Sequence, residues 1–255
     1  LVGESGAGKT TTALSMLQML PKPAGRFTDG DILYKGNSLM KMSERKMTDI
    51  RGNKISMIFQ NPLTSLNPVF SVGEQIAMVL RRHRKLGKKE AMKEAQRLME
   101  MVSIPGERFN DYPVQFSGGM RQRIGIAAGL ACNTELLIAD EPTTALDVTI
   151  QAQVLMLLKE LQKKENTALL MITHNLGIVS ELCEKVAVMY GGQIIEYGLV
   201  QEVFANPAHP YTVGLLGSLP KLTGPRDELY SIPGTVANPQ HLPSGCYFHP
   251  RCEHC

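Results

Sequence analysis

One octet near the start constrains this chain more than anything else in it. Gly3-Glu4-Ser5-Gly6-Ala7-Gly8-Lys9-Thr10 fits the spacing G-x-x-x-x-G-K-[ST]. Such a loop needs a strand before it and a helix after it. Leu1-Val2 reads as the tail of a buried strand. Lys9 to Leu20 reads as a helix stopped by Pro21 and Pro23. The glycines let backbone N–H groups turn inward, and the helix points its positive end at whatever lies there. This is a phosphate cradle. Lys9 places a charge against β- and γ-phosphates, and the Thr10 hydroxyl is a ligand for Mg²⁺.

Beyond the octet, apolar spacing alternates between strand and helix. Turn signals and β-formers over 26–36 predict an antiparallel hairpin. A short helix is expected at 43–51 and strands at 54–59 and 136–139. Helices are expected at 71–84, 88–103 and 117–132. Helix 149–164 carries Ile150, Val154, Leu157, Leu158 and Leu161 on one face. Strand 168–172, helix 175–183 and strands 185–190 and 192–197 follow. The pattern is α/β with a mostly parallel sheet, an antiparallel portion and a helical insertion. We divide it as core 1–70 and 133–206, insertion 71–132 and C-terminal extension 207–255, where Pro and Gly become frequent and periodicity fades.

Composition supports a folded protein: 43% of residues are hydrophobic and 20% charged. A net charge of +3 is too small and too evenly spread to point to nucleic acid. The run Arg81-Arg82-His83-Arg84-Lys85 reads as the solvated end of a helix. No apolar run approaches the roughly 18 residues of a membrane-spanning helix. From the opening Leu1-Val2-Gly3-Glu4 no secretory leader is expected, and five cysteines, an odd number, set a reducing compartment as the expectation. The abrupt ends read as those of an internal fragment of a longer protein. Cys132 and Cys183 fall in segments read as helical and are expected to be buried and inert.

Leu136-Leu137-Ile138-Ala139-Asp140-Glu141 adds a second element. Four apolar residues make a buried strand, and Asp140 emerges at its carboxyl end, where α/β sheets take ligands. A carboxylate there can hold Mg²⁺. Glu141, one residue on, can act as general base on an attacking water.

With these residues the chain resembles the nucleotide-binding subunit of an ATP-binding-cassette (ABC) transporter. Phe116-Ser117-Gly118-Gly119-Met120 is similar to that family's L-S-G-G-Q signature, departing at Phe116 and Met120. Gln60 resembles the Q-loop glutamine, Ala145-Leu146-Asp147 the D-loop and His174 the switch histidine. The resemblance implies a P-loop ABC ATPase core. It implies ATP contacts along Gly3, Glu4, Ser5, Gly6, Ala7, Gly8, Lys9, Thr10 and Thr11. It adds Gln60, Asp140, Ser117, Gly118, Gly119 and Asp147 to the nucleotide site, with Thr10, Gln60 and Asp140 on Mg²⁺. Lys9, Glu141 and His174 are the catalytic candidates. Ser117-Gly118-Gly119 opens a helix, so it is a second anion site, suited to the ATP of a partner cassette.

The extension narrows the resemblance. Asn206-Pro207-Ala208-His209-Pro210-Tyr211-Thr212 and Gly245-Cys246-Tyr247-Phe248-His249-Pro250-Arg251-Cys252 are similar to segments of oligopeptide, dipeptide and nickel importers. For Cys246, Cys252 and Cys255 three readings stand: thiols without metal, a [4Fe–4S] cluster, as in some members of that subfamily, or zinc. The implied partners are a second ATPase subunit (identical or not), two integral-membrane permeases and a periplasmic or extracellular solute-binding protein. The implied place is the cytoplasmic face of the cell membrane, peripherally bound. Asn61 to Phe70 would form part of the permease contact. The alternative function is a soluble ABC ATPase acting in translation or DNA repair.

Overall fold

The computed structural model describes residues 1–61, 65–144, 146–165, 167–219 and 230–255. They gather into two compact units: Ala13–Leu170, and Leu1–Thr12 together with Met171–Cys255. Helix α1 spans Lys9–Met16.

In the first unit, α1 ends four residues before the expected Leu20. Gln18 adopts the left-handed region at φ 51°. Its N–H reaches the Ser15 carbonyl at 3.0 Å, and the Met19 N–H reaches Leu14 at 2.8 Å. This is a Schellman closure, built on glutamine instead of the glycine that would have announced it. The hairpin also lies later than expected. It is β1 (Leu33–Tyr34) and β2 (Asn37–Ser38), turned by Lys35 at φ 49° and Gly36 at φ 77°, the geometry of a two-residue hairpin turn. Helix α2 (Glu44–Ile50) is capped by the Ser43 side chain.

Strands β3 (Ile55–Ile58) and β4 (Leu136–Asp140) pair in parallel, Ile55 opposite Leu136 through Ile58 opposite Ala139. The first residue of β5 (Ala168–Ile172) donates to Glu135 on the other side, giving the order β3-β4-β5. Both faces of β4 are covered, so it reads as an apolar run without alternation. Between β3 and β4 lie α3 (Val72–Arg84), α4 (Lys88–Met101) and α5 (Gly118–Gly129), packed on one another. Helix α6 (Val148–Glu165) buries Val154 and Leu158 as its spacing requires, while the Leu161 side chain lies outside the described residues.

In the second unit, Val2 bridges to Val188 in parallel, and its N–H donates to Ala187 at 2.9 Å. The Leu1 carbonyl accepts from Thr173 at 3.2 Å. The residues before the octet are thus the expected strand tail. Strands β6 (Lys185–Tyr190) and β7 (Gln193–Leu199) form an antiparallel pair turned by Gly191-Gly192. Helices α7 (Leu176–Leu182), α8 (Val200–Ala205) and α9 (Pro210–Gly217) complete the unit. The last two were not expected, and α9 is apolar almost all round, so it shows no stripe. Val2, Val188, Tyr190, Tyr211 and Phe248 share one buried cluster, which draws the C-terminal region into the same core as the strand tail.

Candidate nucleotide site

The candidate residues divide between the two units. The P-loop and His174 belong to one; Gln60, Ser117, Gly118, Gly119, Asp140, Glu141 and Asp147 belong to the other.

The P-loop starts where Gly3 turns at φ 151°, and a Cβ there would lie 2.2 Å from the Met189 carbonyl oxygen. Only glycine lets the chain pass this close to β6. Ala7 is fixed by the Gly192 N–H on its carbonyl at 2.9 Å. The ammonium of Lys9 is buried against the loop, donating to Gly3 and Glu4 carbonyls at 2.7 and 2.9 Å. Ser5, Gly6, Thr10 and Thr11 are exposed, as an anion cradle at a helix start requires. Two further anchors were absent from the sequence reading. The Glu4 N–H donates to the Tyr211 hydroxyl at 2.8 Å, and Arg251 pairs with the Glu4 carboxylate at 2.8 Å. His174 is exposed in the turn between β5 and α7, whose N-cap is the next residue, Asn175.

In the other unit, Asp140 is buried at the carboxyl end of β4. Glu141 follows in the left-handed region at φ 45°, a strain of about 1–3 kcal/mol for a residue with a side chain. Gln60 Nε2 and Thr144 Oγ1 both donate to Glu141 Oε2, at 2.8 and 2.9 Å. Gln60 and Glu141, read separately from the sequence, are therefore one hydrogen-bonded pair, and Thr144 is a third member that no motif had marked. Asp147 caps α6 by accepting the Ile150 N–H at 3.0 Å. Ala145, first of the D-loop triplet, and residues 62–64 of the segment after Gln60 lie outside the described residues. Within that segment Val69 and Phe70 are exposed, whereas Leu66 is 6% exposed and packs inward.

The Ser117 side chain accepts the Met120 N–H and caps α5. Gly118 is exposed at this helix start and Gly119 is half-buried. The family leucine is replaced by Phe116, which is buried with the Arg108 guanidinium stacked 4.0 Å from its ring centre. Arg121 Nε holds the Phe116 carbonyl at 2.8 Å. The departure at Phe116 is thus absorbed beneath the loop and leaves the Ser-Gly-Gly edge intact.

Thr10, Gln60 and Asp140 bring a hydroxyl, an amide and a carboxylate, oxygen donors of the class Mg²⁺ takes. The Gln60 nitrogen is committed to Glu141, so its Oε1 is the atom it offers a cation. Among the described residues no three His, Cys, Asp or Glu side chains converge as a metal site. Cys246 lies 3.8 Å from His209, and the hydrogen bond to Cys252 raises the pKa of Cys255. Cys132 and Cys183 correct the expectation of helical positions: one lies past the end of α5, and the other is the half-buried C-cap residue of α7. Burial raises the pKa of both thiols.

Residues 1–144 match the family model described as ABC transporter. The chain belongs to the ABC transporter family. Residues 195–255 of this ABC cassette match a second model, the oligopeptide/dipeptide transporter C-terminal region. The cassette is 52% identical to the oligopeptide transport ATP-binding protein OppD of Bacillus subtilis, over 97% of this chain and 70% of that protein. It is 51% identical to the dipeptide transport ATP-binding protein DppD of the same organism, over 99% of this chain and 76% of that one. Among solved structures, the dimeric ATP-binding cassette MJ0796 bound to ADP and Pi aligns with a TM-score of 0.68 at 26% identity, covering 78% of this chain and 83% of that one. The chain is an ABC-type ATPase. Among the described residues, no helix is long and apolar enough to cross a membrane.

Proposed function

We propose that this cassette is the ATP-hydrolysing subunit that energises uptake of peptides, or of a related solute such as nickel, through a membrane ABC importer. The observation that carries the reading is the joining, in one chain, of a cassette with a peptide-transporter C-terminal region. That combination favours the importer over a soluble ATPase of translation or repair.

In this reading the P-loop amides and Lys9 hold the β- and γ-phosphates. Mg²⁺, held by Thr10, Gln60 and Asp140, would neutralise charge between phosphate oxygens. Two donors on Glu141 Oε2 fix the rotation of that carboxylate. It accepts a proton from the attacking water as the γ-phosphoryl group passes to that water, releasing ADP and inorganic phosphate. His174 donates to the γ-phosphate. Ser117, Gly118 and Gly119 serve the nucleotide of a second cassette, with Asp147 beside that junction. The exposed Val69 and Phe70 support a permease contact through residues 61–70, on the cytoplasmic side of the membrane. A binding protein outside would deliver solute to two permeases.

The test is uptake of a labelled oligopeptide into vesicles carrying the full-length subunit, its partner cassette, permeases and binding protein. ATP-driven accumulation, absent with Lys9→Ala, is the expected result. Hydrolysis that never drives uptake of peptide or nickel would overturn the importer reading.

A further inference from the structure

The C-terminal region meets Glu4 of the P-loop twice. Glu4 is the second member of the octet. Its N–H donates to the Tyr211 hydroxyl at 2.8 Å. Its carboxylate accepts Arg251 Nη1 at 2.8 Å and Nη2 at 3.3 Å, a two-pronged pair. We propose that Tyr211 and Arg251 are positioning residues that preset the P-loop for the nucleotide's phosphates by fixing Glu4 at its backbone and at its carboxylate. This rests on the reading that the P-loop binds ATP.

Both anchors are themselves immobilised, as positioning requires. Glu196 of β7 accepts the N–H groups of Ala208 and His209 at 2.8 and 3.1 Å. His209 Nδ1 then accepts the Tyr211 N–H at 3.1 Å, capping α9, and Pro210 takes the first helical position. The Tyr211 ring is fully buried, 4.8 Å from Tyr190 and 5.4 Å from Phe248 between centroids. The Arg251 side chain is 5% exposed. It donates to the carbonyls of Pro233 at 2.7 Å and Ile232 at 3.4 Å, and to the Tyr190 hydroxyl at 3.4 Å.

Two consequences follow for phosphate binding. Lys9 donates to the Gly3 carbonyl, the oxygen of the same peptide group whose Glu4 N–H the Tyr211 hydroxyl holds, so fixing that peptide also fixes the cation meant for the phosphates. In addition, a carboxylate in a phosphate loop repels its ligand. Arg251 neutralises it, and its own burial keeps water from screening the pair. The C-terminal region thereby acts inside the nucleotide site, besides whatever it tells of the transported solute.

The experiment compares full-length wild type with Tyr211→Phe, Arg251→Gln, Arg251→Lys and the double variant Glu4→Gln/Arg251→Gln. It reads ATP affinity by titration and, without nucleotide, hydrogen exchange over residues 3–12. Removing Arg251 from this half-buried charge pair leaves the Glu4 carboxylate uncompensated beside the phosphates, so Arg251→Gln should weaken ATP binding about tenfold. Tyr211→Phe should weaken it about threefold. Both should speed exchange in the loop. The double variant removes the stranded carboxylate and should recover most of the affinity, with Arg251→Lys intermediate. Affinity and exchange at wild-type levels in both single variants, or a double variant no better than Arg251→Gln, would overturn the proposal. A wild type that binds no ATP would overturn the P-loop reading instead, and the exchange comparison would still decide whether the clamp holds the loop.

Discussion

The P-loop and the Ser117-Gly118-Gly119 loop are both glycine-rich approaches to a helix start, but they are held in opposite ways. The P-loop is gripped along its length: Gly3 against Met189, Glu4 by Tyr211 and Arg251, Ala7 by Gly192. The signature loop has its own serine cap above a buried Phe116, with Ser117 and Gly118 open to solvent and Gly119 half-buried. A loop that must present amides to a flexible polyanion gains from being fixed beforehand, because ordering it on binding would cost affinity. In the proposed reading the second edge meets a ligand already held by another cassette, and so needs exposure more than fixation. Substitutions in the first should therefore strike binding, and in the second hydrolysis alone.

The largest effect is expected at Lys9. Lys9→Ala removes the charge held at the loop by the Gly3 and Glu4 carbonyls, and ATPase rate in the full-length protein should fall by about 10³-fold, with weaker ATP binding. Hydrolysis near the wild-type rate would break the comparison at its gripped side. Next comes Glu141→Gln, which keeps the shape but not the base. Turnover should drop about 10²- to 10³-fold with ATP still bound, seen as a larger species in size-exclusion chromatography with ATP. Gly6→Ala should cost less. Gly6 has φ 83° and open space beside it, so the penalty is backbone strain alone, about 1–2 kcal/mol, read as a lower affinity for ATP.

How much of this was legible follows from where each partner lies. The octet and the strand ending in Asp140-Glu141 are contiguous in sequence, while Gln60 and His174 stand out only by their place in the family's order of motifs. The clamp on Glu4 does not, since Tyr211 and Arg251 lie 207 and 247 residues away. The sequence carries half of the signal: His209 before Pro210 is a readable helix start that places Tyr211. Its partner is set only by the packing of Tyr190, Tyr211 and Phe248. The early stop of α1 was hidden because glutamine, not glycine, takes the left-handed position at Gln18. Thr144 escaped because its bond to Glu141 depends on the turn after β4, which no periodicity encodes.

The smallest effect is expected away from both loops and sharpens the comparison as a control. Lys35, Tyr34 and Lys54 hydrogen-bond the Glu135 carboxylate and hold its pKa down at about 2, from an ordinary 4.5. A depressed folded pKa stabilises above the unfolded value and loses that contribution as pH falls from about 4.5 to about 2. Glu135→Gln should flatten the acid side of the stability profile over that window, leaving ATP affinity unchanged at neutral pH.

The most direct measurement of the division of labour is Gly118→Ala. Nothing lies within 4 Å of the added methyl, and the residue is not in the left-handed region, so the chain itself should fold unchanged. In the full-length subunit assembled with its partner cassette, ATP affinity should match wild type. The ATPase rate should fall at least about tenfold, because the methyl intrudes on whatever docks there. An affinity lost as severely as in Lys9→Ala, or a full hydrolysis rate with wild-type affinity, would contradict a signature loop that acts on the nucleotide of another cassette.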